Sequence, residues 1–262
     1  MELPPTRKLA LVVEYDGTGY HGFQMQVGEP TIQGEIERAL EKLTGERIRI
    51  VGAGRTDAGV HAKGQVVSFS CASKLSLQTV IRALNFHLPS DIAVKAGSEV
   101  DNNFSARRDA LSREYRYTIL NSATPSPLQR KYSYHVPLAL DLDAMNEACR
   151  LLLGIQDLAS FTGLMRGKRT VRRVLKAEVS RERELVFFDM VADSFLPKQV
   201  RSTAGCLNRV GLGKLTVEEF KGILEARKPG MAAPVAPALG LCLVKVNYPE
   251  HKLGKGQFYE NS

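Results

Sequence analysis

The sequence predicts an α+β protein of two split-βαβ (βαββαβ) units, whose mostly antiparallel sheets sit side by side with a basic cleft between them. Three observations lead there. The hydrophobic period of the first half switches between strand-like and helix-like in the order βαββαβ. The second half repeats that order, without residue-level self-similarity, and the surplus of positive charge is concentrated in one run. The 262 residues are 44% hydrophobic, enough to bury real cores. At roughly 100 to 200 residues per domain, that length suits two small domains. The expected division is 1–110, 111–250 and a polar tail at 251–262 that has no periodicity.

In the first unit, Leu9 to Glu14 is an apolar run stopped by Tyr15-Asp16-Gly17, as for a buried strand ending in a turn. Thr31 offers an N-cap. Ile32, Ile36, Ala39, Leu40 and Leu43 then fall on one face of a helix, which Gly45 can close. Ile48 to Val51 and Gln65 to Ser70 read as strands bracketing a Gly-rich loop. Ser76 caps a second helix with Leu77, Val80, Ile81 and Leu84 inward, and Ile92 to Lys95 is a short strand.

In the second unit, a strand at Tyr115 to Leu120 precedes a helix after Asp141 carrying Leu142, Met145, Cys149, Leu152 and Leu153. Strands follow at Val174 to Ser180 and Leu185 to Val191. A helical stretch runs from about Lys198 to Val210, a second helix opens with the capping box Thr216-Val217-Glu218-Glu219, and Leu241 to Val246 is the last strand. Thr124-Pro125-Ser126-Pro127 is a loop inside this unit and not the linker.

Composition narrows the function. The four cysteines lie far apart with no C-x-x-C pair, so neither a zinc cluster nor a disulfide framework is indicated, and a reduced, cytoplasmic protein is expected. The N-terminus lacks a signal-peptide layout, and no apolar run approaches the roughly 18 residues needed to span a bilayer. Lys plus Arg number 36 against 28 for Asp plus Glu, a net charge of +8 that attracts a polyanion. Arg166, Lys168, Arg169, Arg172, Arg173 and Lys176 fall in one stretch without an acidic residue, which suits either phosphate-backbone contact or a solvated strand face.

The loop between the second and third strands reads Gly54-Arg55-Thr56-Asp57-Ala58-Gly59-Val60-His61. Its two glycines permit backbone conformations closed to other residues, so the acid between them can be held in an unusual orientation. Taken alone, Gly-x-x-Asp-x-Gly also occurs in ordinary hairpins. The loop has company, however. Glu14-Tyr15-Asp16-Gly17-Thr18, His21-Gly22-Phe23-Gln24-Met25-Gln26 and Thr31-Ile32-Gln33 resemble the opening of the TruA-type tRNA pseudouridine synthase family. Gly54 to Ala62 is similar to that family's catalytic motif along its whole length. Leu84-Asn85, Leu88-Pro89-Ser90-Asp91-Ile92, Phe104-Ser105-Ala106-Arg107 and Arg113-Glu114-Tyr115-Arg116-Tyr117 follow at family-like spacings. So do Phe195-Leu196 with Val200-Arg201, and Ala236-Pro237 with Gly240-Leu241.

The resemblance implies the pseudouridine synthase fold and isomerisation of uridine to pseudouridine in the tRNA anticodon stem-loop, at positions 38, 39 and 40 of tRNA. It also implies a homodimer that works without metal or organic cofactor. Asp57 would attack the sugar covalently at C1′ or stabilise and deprotonate the sugar, and either route needs it ionised. A carboxylate in a tight pocket stays ionised only beside a cation, and Arg201 matches the family's Val-Arg motif. Tyr115 matches its active-site tyrosine, able to stack on uracil. Tyr115 and Tyr117 lie two apart on a strand and share a face, so spacing alone does not say which one meets the base. Arg55 resembles the residue that helps hold the flipped nucleotide, and Arg107 is a candidate phosphate contact. His21 and His61 are expected to make structural hydrogen bonds. With Asp57 in one unit and Tyr115 and Arg201 in the other, the site is expected where the units meet.

Two departures stand out. The family often has Gly-Trp-Gln-Arg-Gln where this chain has Gly22-Phe23-Gln24-Met25-Gln26, and more often a basic or histidine pair and a Met ahead of Val-Arg. Here Pro197-Lys198-Gln199 precede it, and Pro197 is tolerable only in the first turn of the helix. Two rival functions remain in view. A catalytically silent RNA-binding module would leave the Gly-Arg-Thr-Asp loop unexplained. A carboxylate-based glycoside or nucleoside hydrolase would need a second acid, and no comparable motif marks one.

Overall fold

The computed structural model describes residues 6–164, 167 and 169–253. The protein is α+β and divides into two compact units, one of residues up to Leu111 together with those from Leu243 onward, the other Ser112–Cys242. Where a second unit running to 250 was expected, the chain returns to the first unit at Leu243.

The first unit is built on β1 (Arg7–Tyr15), whose residues Leu9 to Val13 are all buried. It is followed by α1 (Ile32–Thr44), β2 (Val51–Gly52), β3 (His61–Cys71), α2 (Leu77–His87) and β4 (Ile92–Val100). β1 runs antiparallel to both β3 and β4, with Leu11 opposite Val67 and Gly97. The far edge of β3 is shared. β2 pairs with it at Ser68 and Val67, and β10 (Leu241–Asn247) lies beside it. That approach is close at Gly64, where a Cβ would stand 2.3 Å from the Val244 carbonyl oxygen. The segment after β4 is tied down by Tyr248, whose hydroxyl donates to the Ala106 carbonyl and whose ring packs against Phe104.

Helix boundaries follow local chemistry. The Thr31 hydroxyl accepts from Gly34 N–H, and Gly45 closes α1 in the left-handed conformation at φ +74°. Ser76 caps α2 in the same way as Thr31 caps α1. Along α2, Val80 and Leu84 are buried, while Leu77 and Ile81 are only partly so. The expected strand Ile48 to Val51 is reduced to Val51–Gly52 because Glu37 of α1 intervenes. Its carboxylate accepts from Ile50 N–H at 3.1 Å and from Arg49, so that segment bonds to a helix side chain and not to a neighbouring strand. β4 runs five residues past the expected end at Lys95 as the first strand in the sheet order. The Asn85 side chain satisfies Val94 there, donating to its carbonyl at 2.9 Å and accepting from its N–H at 2.7 Å.

In the second unit, β5 (Ser112–Leu120) is followed by β6 (Tyr134–His135), α3 (Leu142–Arg150), β7 (Gly154–Asp157), β8 (Val171–Glu182) and β9 (Leu185–Ala192). Then come α4 (Gln199–Gly211) and α5 (Val217–Ala226). The sheet order is β5-β9-β8-β7, antiparallel throughout, with β6 added parallel to β5. The two short strands β6 and β7 depart from a plain repeat of the first unit. Asp141 caps α3, and the capping box at Thr216 and Glu219 opens α5 as the sequence predicts. Pro197 lies outside α4: Lys198 takes the N-cap position at φ 60° and the helix begins at Gln199. The proline therefore removes no helical hydrogen bond. Among the tail residues, Glu250–Lys252 form a short 3-10 turn, and those beyond 253 lie outside the described residues.

Candidate active site

Asp57 sits on a half-buried turn between Ala53 and Val60, and each flank of that turn is anchored. On the incoming side, Ala53 N–H donates to the Val66 carbonyl at 2.8 Å, continuing the β2–β3 pairing. Gly54 is then gripped by the buried Gln65, which donates from Nε2 to its carbonyl at 2.7 Å and accepts from its N–H at 3.2 Å. Thr56 is buried. Its hydroxyl lies 2.8 Å from the Tyr15 hydroxyl, and its carbonyl accepts from Phe23 N–H at 3.1 Å.

On the outgoing side, Val60 N–H donates to the Asp57 carbonyl at 3.1 Å, closing a four-residue turn in which Gly59 has φ +77°. A positive φ at that third position is the type II arrangement, which needs glycine. Gly59 N–H donates to the Tyr20 carbonyl. Of the two flanking glycines, Gly59 takes the left-handed conformation and Gly54 does not.

The neighbouring segment makes way for the turn. A Cβ on Gly17 would stand 2.0 Å from the Val60 carbonyl oxygen, and one on Gly22 would stand 2.8 Å from that of Thr56. The motifs Tyr15-Asp16-Gly17 and His21-Gly22-Phe23 thus form the wall against which the Asp57 turn is pressed. His61 belongs to this wall. Gly17 N–H donates to its Nδ1 at 3.1 Å, and the same nitrogen is 3.2 Å from Asp16 Oδ1. A backbone N–H can only donate, so Nδ1 acts as acceptor there, which fits a structural histidine. His21 is more exposed, with Nε2 3.2 Å from Glu29. The Tyr20 hydroxyl donates to Asp91 at 2.6 Å; burial, and then that bond, raise its pKa well above the ordinary phenol value.

The other expected site residues are distributed as follows. Arg55 and Arg107 are exposed residues of the first unit. Tyr115 and Arg201 belong to the second, on β5 and in the first turn of α4, and these two elements pack together. Tyr115 is buried, with its ring edge-on to Phe195 at 4.9 Å between centroids. Tyr117, on the same face, is fully buried and donates its hydroxyl to the Pro237 carbonyl at 2.9 Å. Burial pushes its phenol far above the ordinary range, against a smaller opposing pull from Arg201. Tyr117 is therefore the core tyrosine of the pair. Arg201 donates from Nε to the Ala236 carbonyl at 2.9 Å, and its own carbonyl accepts from Ala236 N–H.

In the basic run, Arg166 and Lys168 lie outside the described residues. Arg169 and Arg173 are exposed, whereas Arg172 is half-buried and directs its guanidinium to the carbonyls of Arg169 and Val171. Burial lowers the Arg172 pKa. Among the described residues, no group of three or more His, Cys, Asp or Glu side chains could hold a metal ion, and no helix is long and apolar enough to cross a membrane.

Sequence reasoning passed over Gln65, Tyr15 and Tyr20 as site-builders. The available signal was a glutamine heading the apolar stretch Val66-Val67 of β3, a polar group where the strand has no solvent face.

A family model described as tRNA pseudouridine synthase matches residues 11–108 and 148–249. The first stretch contains Arg55, Asp57 and Arg107 and the second Arg201, while Tyr115 falls between them. The tRNA pseudouridine synthase A of Acetivibrio thermocellus is 43% identical over 243 residues, covering 92% of this chain and 100% of that protein. That of Methylacidiphilum infernorum is 44% identical over 241 residues, covering 91% and 94%. The Moorella thermoacetica protein of the same name is 44% identical over 243 residues, covering 92% and 99%. With most of its length inside the family model and relatives this similar from end to end, the chain belongs to the tRNA pseudouridine synthase family, a family of isomerases.

Proposed function

We propose that this protein converts uridine to pseudouridine in tRNA, at positions 38, 39 and 40 of the anticodon stem-loop, with Asp57 as the catalytic carboxylate. The observation that carries the proposal is the Asp57 turn, whose flanks are held by hydrogen bonds on both sides, in a family whose members are named for this reaction. Fixing a reacting group ahead of time removes orientational entropy from the barrier.

The chemistry asks for little else. The N1–C1′ bond breaks, the uracil turns while bound, C5 bonds to C1′, and the C5 proton leaves as N1 takes one up, so no electrons are gained or lost. Asp57 serves this ionised, as nucleophile at C1′ or as base toward the sugar. The family resemblance assigns Arg201 to this chemistry as a cation and Tyr115 as the ring offered to the uracil. Lifting a stem uridine from its stack costs a few kcal/mol, which Arg55 helps to offset. Arg107, Arg169 and Arg173 are exposed and suit phosphate contact. Arg166 and Lys168 are assigned with them by sequence, as is Arg172, whose guanidinium bonds the Arg169 and Val171 carbonyls. The active form is a cytoplasmic homodimer that uses no metal or organic cofactor.

The test uses a tRNA transcript with tritium at uracil C5. Tritium should reach solvent, and chemical mapping should place pseudouridine at positions 38 to 40. Pseudouridine elsewhere in the tRNA would refute the position, free uracil would indicate a hydrolase, and tight binding without release would indicate a binding module.

A further inference from the structure

We infer that Gln65 is a positioning residue for Asp57, acting through Gly54, and the inference rests on the catalytic role proposed above for Asp57. Gln65 lies in β3 opposite Val13 and is 0% exposed, between neighbours that are otherwise apolar. A carboxamide there is tolerated only if bonded, and both its ends are used. Oε1 accepts from Gly54 N–H at 3.2 Å, and Nε2 donates to the Gly54 carbonyl at 2.7 Å and lies 3.4 Å from the Tyr15 hydroxyl.

The two bonds to Gly54 reproduce one rung of a β-ladder. They come one residue after Ala53 bonds Val66. A further backbone rung would hold the loop extended and pleated. A side-chain rung fixes Gly54 without committing the following residues to the ladder, so the chain can turn to present Asp57. From Gln65 the polar chain continues through the Tyr15 hydroxyl to Thr56, the residue before Asp57. Similar clasps occur at Asn85 on Val94 and Asn146 on Val179, but those secure strands. The Gln65 clasp alone among these three secures the loop that bears the acid.

The experiment measures kcat and KM of the full chain on the tritiated transcript for Gln65→Leu and Gln65→Glu. Gln65→Leu loses both bonds, and kcat should fall about 10- to 100-fold with KM within about twofold, as for a misplaced reacting group. Gln65→Glu supplies a second readout, taken over the pH range in which thermal melts show the variant as folded as wild type. Ionised, its carboxylate cannot donate to the Gly54 carbonyl. Protonated, it accepts and donates as the amide does, and burial raises its pKa toward neutrality.

The ratio of variant to wild-type kcat should therefore climb as pH falls from about 8 to about 6. A flat ratio overturns the inference, as does a folded Gln65→Leu with unchanged kcat or a loss confined to KM. If Gln65→Leu does not fold, the Gln65→Glu profile decides alone. Asp57→Asn in the same assay separates the two layers: an active Asp57→Asn removes the catalytic reading and this inference together. An inactive Asp57→Asn beside wild-type Gln65 variants removes only the inference.

Discussion

Replacing Gly22 with alanine tests whether the wall behind the Asp57 turn sets the position of the acid. Gly22 has φ +92°, a conformation that costs an L-residue about 1–2 kcal/mol. Its added Cβ would also stand 2.8 Å from the Thr56 carbonyl oxygen and 3.2 Å from Ala58 N and the Asp57 carbonyl carbon. Ordinary contact begins at 3.4 Å, so the backbone of the turn must give way by about 0.6 Å. Misplacing a reacting group by about 1 Å costs on the order of 100-fold, which scales here to a loss of about 10- to 20-fold in kcat. Gly28 supplies the control. Its φ is +81° but nothing lies within 4 Å of the added Cβ, so Gly28→Ala carries the strain without the displacement. The assay is single-turnover tritium release alongside thermal melts. Both variants should lose a few degrees of Tm, since about 1 kcal/mol corresponds to about 2–4 °C at this size, and only Gly22→Ala should lose rate. Equal rates for the two variants would refute the reasoning.

Other consequences concern stability and RNA binding. Thr216→Ala removes the cap of α5 and should cost about 1 kcal/mol, read as a lowered urea midpoint. The Glu219 carboxyl is held below its ordinary value by accepting from Thr216. Its contribution should be present above the unfolded-state pKa and fade as pH falls through the folded one, so Glu219→Gln and wild type should converge in acid. Burial pushes the Cys206 thiol up to about 11 from 9.0. The stability this gives is whole below pH 9.0 and is lost as pH rises toward about 11, where the unfolded chain ionises first; a Cys206→Ala variant should lack that alkaline slope. Arg173→Ala should lower the slope of log binding constant against log salt by about 1. Arg172→Ala should leave the slope unchanged, because its guanidinium is turned onto its own backbone. Equal slopes for these two variants would count against the division of roles.

What was legible in the sequence is what local chemistry decides. Thr31, Gly45, Ser76, Asp141 and the Thr216–Glu219 box mark helix ends by bonds made within a few residues, and the structure shows each of them. Strand ends set by distant partners were not legible. β3 begins four residues before Gln65, through His61, Lys63 and Gly64, a stretch without apolar alternation that is held by neighbours elsewhere in the chain. β4 continues through Gly97, where a Cβ would stand 2.6 Å from Leu11 Cδ2, so a residue that reads as a breaker is required by packing. The start of α4 depends on Lys198 taking φ 60°, which no periodicity announces. In the site, Asp57 stood out only through the family motif around it, since a glycine-flanked acid is ordinary in hairpins. The site-building roles of Gln65 and Tyr15 were not legible because a polar group on an apolar strand gains meaning only from its partners, here 11 and 41 residues away in the chain.

The central claim is most directly tested by tritium release from C5-labelled tRNA by Asp57→Asn, measured on protein whose melting curve and tRNA affinity match wild type. The side chain is half-buried on the turn, so the near-isosteric change should leave the fold intact. The account predicts that wild type releases tritium in proportion to pseudouridine formed while Asp57→Asn releases none. Release by Asp57→Asn at a rate near that of wild type would contradict it.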